Sequence, residues 1–280
     1  MKSSIYLTFD YEVFLGNKSG GIEDCLLVPT ERILKIIKSH KVPVTFYVDF
    51  GFLIQLKNEN FLNQIIAQLK ELSDLGSSIQ LHLHPHWFNT TKTDSCKRFY
   101  IDQYSQTEIQ DFVIRCFDFA NDRMKLKFTS YRAGSLNNSS LCRLESTLFE
   151  LGIKTDSSML DSDLKKLSLL RQFKISTTFY SPVFYWELTY ERFLGKTSVR
   201  RFGRGNSKPM SNFQKVKRLL FGSVDHLSFD SNKWEKLGKS QFKRNEIVIL
   251  SHPKSMNMAS LEAMDRFIEK HKKNMDFKSI

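Results

Sequence analysis

Nowhere in its 280 residues does this sequence approach the roughly 18–20 consecutive apolar residues that a membrane-spanning helix requires. The opening MKSSIYLTFDYE lacks an apolar run of secretory-signal length, and its first acid arrives at Asp10. A cytoplasmic location is expected, with peripheral association as the remaining membrane role. Cysteine is scarce: Cys25, Cys96, Cys116 and Cys142 include no CxxC pair, so thiols do not propose a metal site. Scattered thiols in a chain of this size fit a reducing compartment. There is no internal repeat and no low-complexity linker, so residues 1–280 read as one domain. No helix-turn-helix, zinc-finger or RNA-binding pattern occurs, so nothing beyond charge points to nucleic acid.

Acidic residues are missing from one long stretch. Between Arg192 and Val224 there is no Asp or Glu, while Arg192, Lys196, Arg200, Arg201, Arg204, Lys208, Lys215, Lys217 and Arg218 supply much of the net charge of +12. Such a run is either a solvated basic face or a site for an anion. Gly203 and Gly205 flank Arg204, which would let backbone and guanidinium approach a phosphate closely. The rest of the composition, 41% apolar and 26% charged, is that of a globular protein and excludes a disordered chain. The 24 Phe imply a bulky core or an aromatic-lined cleft.

Periodicity then predicts the elements. Ile5–Asp10, Val42–Val48, Ile79–His82, Phe128–Tyr131, Ile153–Asp156 and Ile247–Leu250 read as strands. Between them, Pro29–His40, Phe61–Leu75, Thr107–Asp122 and Ser139–Leu151 carry apolar residues at helical spacing, as does the late segment Met258–Lys272. Pro29 suits a first helical turn, and Gly76 suits a helix C-terminal cap. Strand and helix alternate from end to end, which predicts an α/β chain with a parallel sheet, open or closed into a barrel. Residues 160–244 are less regular and read as an elaboration. Within them Lys174–Tyr190 is β-branched and aromatic, and a hairpin around Ser181-Pro182 is expected.

Polar and ionisable residues gather at the predicted C-terminal ends of strands, where α/β barrels build their sites. Asp10 and Glu12 would share a strand face and could divide metal binding from base catalysis, although solvated acids at a strand end look the same. In His82-Leu83-His84-Pro85-His86-Trp87, His82 and His84 would share a face. Pro85 should turn the chain, which could return His86 beside His82. Neutral imidazoles suit zinc-like ions, and a surface histidine cluster is the bland alternative. Arg132, Asp156 and His252 also follow strands. Taken singly they read as a structural salt bridge, a helix N-cap and a structural histidine.

Their order changes that reading. Thr8-Phe9-Asp10, His82-x-x-x-His86, Arg132-x-Gly134, Asp156-Ser-Ser and Leu250-Ser-His252-Pro253 resemble, in sequence, the motifs of the polysaccharide deacetylases, also called the NodB-homology family or carbohydrate esterase family 4. The helix and strand PTERILKIIKSHKVPVTFYVD look like the family's link between its first two strands, and the resemblance spans roughly residues 4–160 and 245–272. Tyr11 stands where the family has a second Asp, with Glu12 next; His84 is an added histidine; and no aromatic follows Arg132 at the expected place. A divergent branch is implied.

The resemblance implies a distorted (β/α) barrel of the NodB type. It also implies a hydrolase that removes an N-acetyl group from an acetamido sugar, in biosynthesis of a surface polysaccharide such as capsule or lipopolysaccharide. By that resemblance a divalent metal, zinc first, would be held by Glu12, His82 and His86. Whether Asp10 takes Glu12's place and whether His84 contributes stay open. Asp10 would be the general base, oriented by Arg132. His252 would be the general acid on the opposite side, its protonated form favoured by Asp156. Trp87 would stack on a sugar ring, and Asp49 would touch substrate or orient a ligand. The substrate would be diphosphate- or lipid-linked, and segment 192–218 would meet that diphosphate or an anionic membrane surface. Two other readings share these residues: hydrolysis of a formamide or ureido group, and an inactive glycan-binding module.

Overall fold

The computed structural model describes residues 2–13, 21–88, 101–136, 141–163, 168–186, 212–230, 233–239 and 244–280. Strands β1 (Ser4–Tyr11), β2 (Thr45–Asp49), β3 (Ser78–Leu83), β4 (Ser130–Ala133), β5 (Thr155–Asp156) and β6 (Arg171–Gln172) lie side by side in chain order, every pair parallel. On the far side of β1 runs β9 (Glu246–Ser251), and the short β10 (Asp276–Phe277) pairs with the start of β1. Between β6 and β9 the ring is completed by irregular chain. The Ser176 amide donates to the Val248 carbonyl (3.0 Å), and the Leu250 amide donates to the Leu227 carbonyl (3.1 Å). The result is the distorted barrel expected from the alternation of strand and helix.

Helices α1 (Val28–His40), α2 (Phe50–Gln55), α3 (Glu59–Asp74), α4 (Gln106–Met124) and α5 (Leu141–Glu150) link the first five strands. α1 has Pro29 in its first turn, buries Ile33, Leu34 and Ile37 on one face, and closes on Lys41 in the left-handed region (φ 55°). Each such buried aliphatic contributes about 1.5–3 kcal/mol. α3 starts where Asn58 accepts from the Phe61 amide (3.2 Å), and α4 starts with a capping box between Ser105 and Glu108. Within the insertion lie α6 (Asn212–Phe221) and α7 (Trp234–Lys239), and after it comes α8 (Met258–His271). Among the described residues, no helix is long and apolar enough to cross a membrane.

The two-residue period of the strands separates two chemistries. Phe9 and Tyr11, Phe46 and Val48, and Leu81 and Leu83 belong to the apolar cluster shared with the helices. Their alternating neighbours are Thr8 and Asp10, Tyr47 and Asp49, and Gln80 and His82, so polar groups line the other face, all of them buried. Phe173, Ile175, Val248 and Leu250 form a separate apolar cluster, with Tyr6 packed against it.

The insertion differs from its expectation. β7 (Thr177–Tyr180) pairs antiparallel with β8 (Ser223–His226), not with a strand beyond Ser181-Pro182. Residues 182–186 turn into a helix instead, which proline tolerates in its first turn. Most of the basic run, including Arg200, Arg201 and Arg204, lies outside the described residues.

Candidate metal and acid–base site

Parallel register brings the strand ends together. Asp49 on β2 is paired with His82 on β3, which is paired with Arg132 on β4. Beside them, Asp10 leaves β1 and His252 follows β9 directly. All of these residues are buried or nearly so.

Arg132 is fully buried and held on every side. Its Nη1 donates to Asp10 Oδ1 (2.6 Å), Nη2 to Thr8 Oγ1 and Ser157 Oγ (3.0 Å each), and Nε to the Ser157 carbonyl (3.0 Å). The guanidinium lies 3.9 Å from the centre of the Tyr47 ring. A buried cation needs such pairing. Its effect is to fix one oxygen of Asp10 and leave Oδ2 facing His252 Nε2 (3.7 Å) and His82 Nε2 (4.0 Å).

Glu12, His82 and His84 form the group suited to a metal. One oxygen of Glu12, Oε2, lies 3.2 Å from His82 Nε2 and 3.0 Å from His84 Nε2. The donor atoms of the three residues fall within 4.8 Å of one another. Both imidazoles are oriented from behind. His82 Nδ1 donates to the Arg132 carbonyl (2.9 Å), and His84 Nδ1 to Asp49 Oδ2 (2.9 Å). Since a carbonyl only accepts, Nδ1 of His82 carries a proton, and in the neutral ring Nε2 is the lone-pair donor. That is how metal-binding histidines are usually held. The other oxygen of Glu12 accepts from Lys254 Nζ (2.8 Å), which also donates to the Val13 carbonyl (3.0 Å). Lys254 therefore leaves Oε2 turned towards the imidazoles. A carboxylate and two oriented imidazoles are a borderline-hard donor set that fits zinc or a similar divalent ion.

The electrostatics agree. Burial disfavours charge on His82, but the Asp10 and Glu12 carboxylates outweigh it and raise its pKa to about 9. Glu12 is held well below the usual carboxylate range by Lys254, His84 and His82, against the opposing effect of burial. The group therefore favours a cation among these ligands, whether proton or metal.

His86 is elsewhere. His84 is still extended (φ −108°, ψ 119°) and keeps the strand's alternation, so its ring reaches Glu12. The turn at Pro85–Trp87 begins only after it, and His86 packs against Trp87 (ring centres 4.6 Å) and behind His84 (5.4 Å). Burial, with His84 nearby, lowers the His86 pKa to about 3. The expected return of His86 beside His82 does not occur, because the turn at Pro85 carries its ring against Trp87, and His84 takes the place beside Glu12 and His82. Trp87 is buried as well, with Nε1 donating to Asp49 Oδ2 (2.8 Å), so it is not a platform for a sugar ring. Asp49 thus orients His84, binds Trp87 and caps α2 through the Phe52 amide (3.3 Å).

His252 has a carboxylate partner, but it is Asp230. His252 Nδ1 donates to Asp230 Oδ2 (2.6 Å), and its backbone amide to Oδ1 (2.7 Å). Burial works against charge on His252, yet Asp230, then Asp10 and Glu12, raise its pKa. Asp156 instead accepts from the Ser158 amide (3.1 Å) and hydroxyl (2.5 Å), in a loop whose Ser157 holds Arg132. The Asp156–His252 pairing expected from the sequence is corrected accordingly. Leu227-Ser228-Phe229-Asp230 echoes the Leu7-Thr8-Phe9-Asp10 of β1, an apolar run closed by an acid, and that likeness was the available signal. His252 Nε2 lies 3.7 Å from Asp10 Oδ2.

No protein-family model matches the chain, and no curated protein does. Its fold is shared with a putative polysaccharide deacetylase from Mycobacterium smegmatis, at a TM-score of 0.57 and 14% identity, over 99% of this chain and 87% of that one. Family 4 carbohydrate esterases from Streptomyces lividans (TM-score 0.49, 11% identity, 99% and 93% covered) and Bacillus anthracis (0.47, 15%, 99% and 80%) are also similar.

Proposed function

We propose that this chain is a metal-dependent hydrolase that removes the acetyl group from an acetamido sugar. The observation that carries the reading is the Arg132–Asp10 pair set beside Glu12, His82 and His84, with His252 at 3.7 Å. The fold shared with a putative polysaccharide deacetylase supports it.

Glu12, His82 and His84 would hold the ion. When bound, a divalent ion polarises an amide carbonyl and lowers the pKa of water. The chain's own residues then handle protons. Asp10, fixed through Oδ1 by Arg132, presents Oδ2 to take a proton from the attacking water. His252 carries its proton on Nε2, because Nδ1 is committed to Asp230, and delivers it to the departing amine. Water and amide are consumed, and acetate and a free amino sugar are released. Lys254 neutralises part of the carboxylate charge beside the reacting groups.

The test is metal analysis followed by acetate release from acetamido sugars, free and diphosphate-linked. About one zinc-like ion per chain is expected, the count of a mononuclear site. Asp10→Asn and His252→Ala should each lose activity by a factor on the order of 100 or more while keeping the ion. If no acetamido sugar releases acetate but formylated or ureido compounds are hydrolysed, the substrate class is wrong. Full activity in His252→Ala removes it from the mechanism.

A further inference from the structure

The insertion carries an apolar surface distant in kind from the buried polar site. More than half of the exposed large apolar side chains among the described residues fall between Phe179 and Val224. On α6, Val216, Leu220 and Phe221 are 51%, 58% and 68% exposed. Phe179 and Val224 are direct cross-strand partners on β7 and β8, so they share one face, and both are about half exposed. Trp186 is 57% exposed, and its Nε1 donates to the Leu219 carbonyl (3.0 Å), which ties the 182–186 turn to the end of α6. At the junction of α6 and β8, Gly222 has φ +72°, and a methyl there would lie 2.4 Å from the Tyr180 carbonyl and 2.7 Å from the Phe179 ring. Helix end, turn and strand pair are therefore packed into one surface.

The charge carried by α6 is of one sign, and the acid of the strand pair, Asp225, is paired with Lys233 (2.9 Å). The sequence of α6, NFQKVKRLLF, holds three basic residues and no acid, and Lys217 is exposed. The acid-free run from Arg192 continues through it to Val224. A large exposed apolar patch marks an interaction site. A bilayer interface matches all three features together. Its headgroups attract Lys and Arg, its acyl boundary accepts Leu and Phe, and Trp favours the level between them. We propose that α6 and the β7–β8 pair dock this protein on an anionic phospholipid surface. This inference stands apart from the hydrolase reading, since it uses none of the site residues.

The experiment is cosedimentation of the full chain with phosphatidylcholine vesicles, with and without about a third phosphatidylglycerol, at low and high salt. Binding should require the anionic lipid and weaken as salt rises. Leu220→Ser/Phe221→Ser should weaken it at least about tenfold through lost apolar insertion. Lys217→Glu should weaken it at least about fivefold, the size expected for one basic residue near the surface. Tryptophan emission should shift to the blue on the vesicles, and Trp186→Phe should remove the shift. Both patch variants should keep wild-type circular dichroism and zinc uptake. No binding of the wild-type chain to anionic vesicles overturns the proposal, as does equal binding by the double variant. So does a concentration-dependent dimer that the double variant dissolves, because the patch would then be covered by a second copy.

Discussion

Replacing His84 by alanine should remove most of the affinity for a divalent ion, whereas replacing His86 should leave it nearly unchanged. The contrast follows from distance: His84 Nε2 is 3.0 Å from Glu12 Oε2, while the His86 ring packs on Trp87. Apparent binding free energies of about 10–16 kcal/mol for four-ligand zinc sites correspond to about 2.5–4 kcal/mol per ligand. At 1.4 kcal/mol per factor of ten, losing His84 should weaken binding on the order of 100- to 1000-fold. Asp49→Asn keeps a hydrogen-bonding group behind His84 but loses the charge, and a loss of about 10–100-fold is expected. His86→Ala leaves a cavity in a buried place and should cost stability, about 2–4 kcal/mol on the scale of core truncations. The assay is zinc titration against a chromophoric chelator, with urea unfolding of the metal-free variants alongside. If His86→Ala loses affinity as steeply as His84→Ala, or His84→Ala retains it, the ligand assignment drawn from the geometry is refuted.

A methyl group on Gly134 would lie 2.4 Å from His84 Cδ2 and 2.7 Å from its Nε2, and Asp49 restrains that ring from behind. Gly134→Ala should therefore destabilise the fold by about 1–3 kcal/mol and weaken zinc binding by about 10–100-fold; unchanged affinity would mean that the ring can shift without consequence. A third expectation concerns pH. The raised pKa of His252, owed chiefly to Asp230 against burial, keeps the acid form present below that pKa and loses it as pH rises through it. Asp230→Asn removes the charge and should move the alkaline limb of the rate profile to lower pH by about one unit or more. A limb that stays in place would show that Asp230 only positions the ring or that His252 is not the acid.

Much of the frame was readable in the sequence because short-range periods specify it. Ile5–Asp10 and Ile79–His82 alternate or run apolar as strands do, and Ile33, Leu34 and Ile37 mark the buried face of α1. The candidate residues were readable for a related reason. In a parallel barrel each strand's C-terminal end faces one rim, so Asp10, Glu12, His82, Arg132 and His252 could be gathered from their places after apolar runs. The insertion was not readable in this way, since β7 finds its partner far along the chain and no local signal names it.

What the sequence determined by itself, then, was the alternation of elements and the chemical types at their ends. Which atoms meet was decided only in three dimensions. His84 rather than His86 faces Glu12, because the backbone stays extended through His84, one residue past β3, and turns only at Pro85. Asp230 rather than Asp156 holds His252, because irregular chain from the insertion runs beside β9 and delivers the carboxylate there. Both outcomes depend on where backbone hydrogen bonding ends and on contacts between residues distant in sequence. Side-chain type and spacing carry no direct record of either.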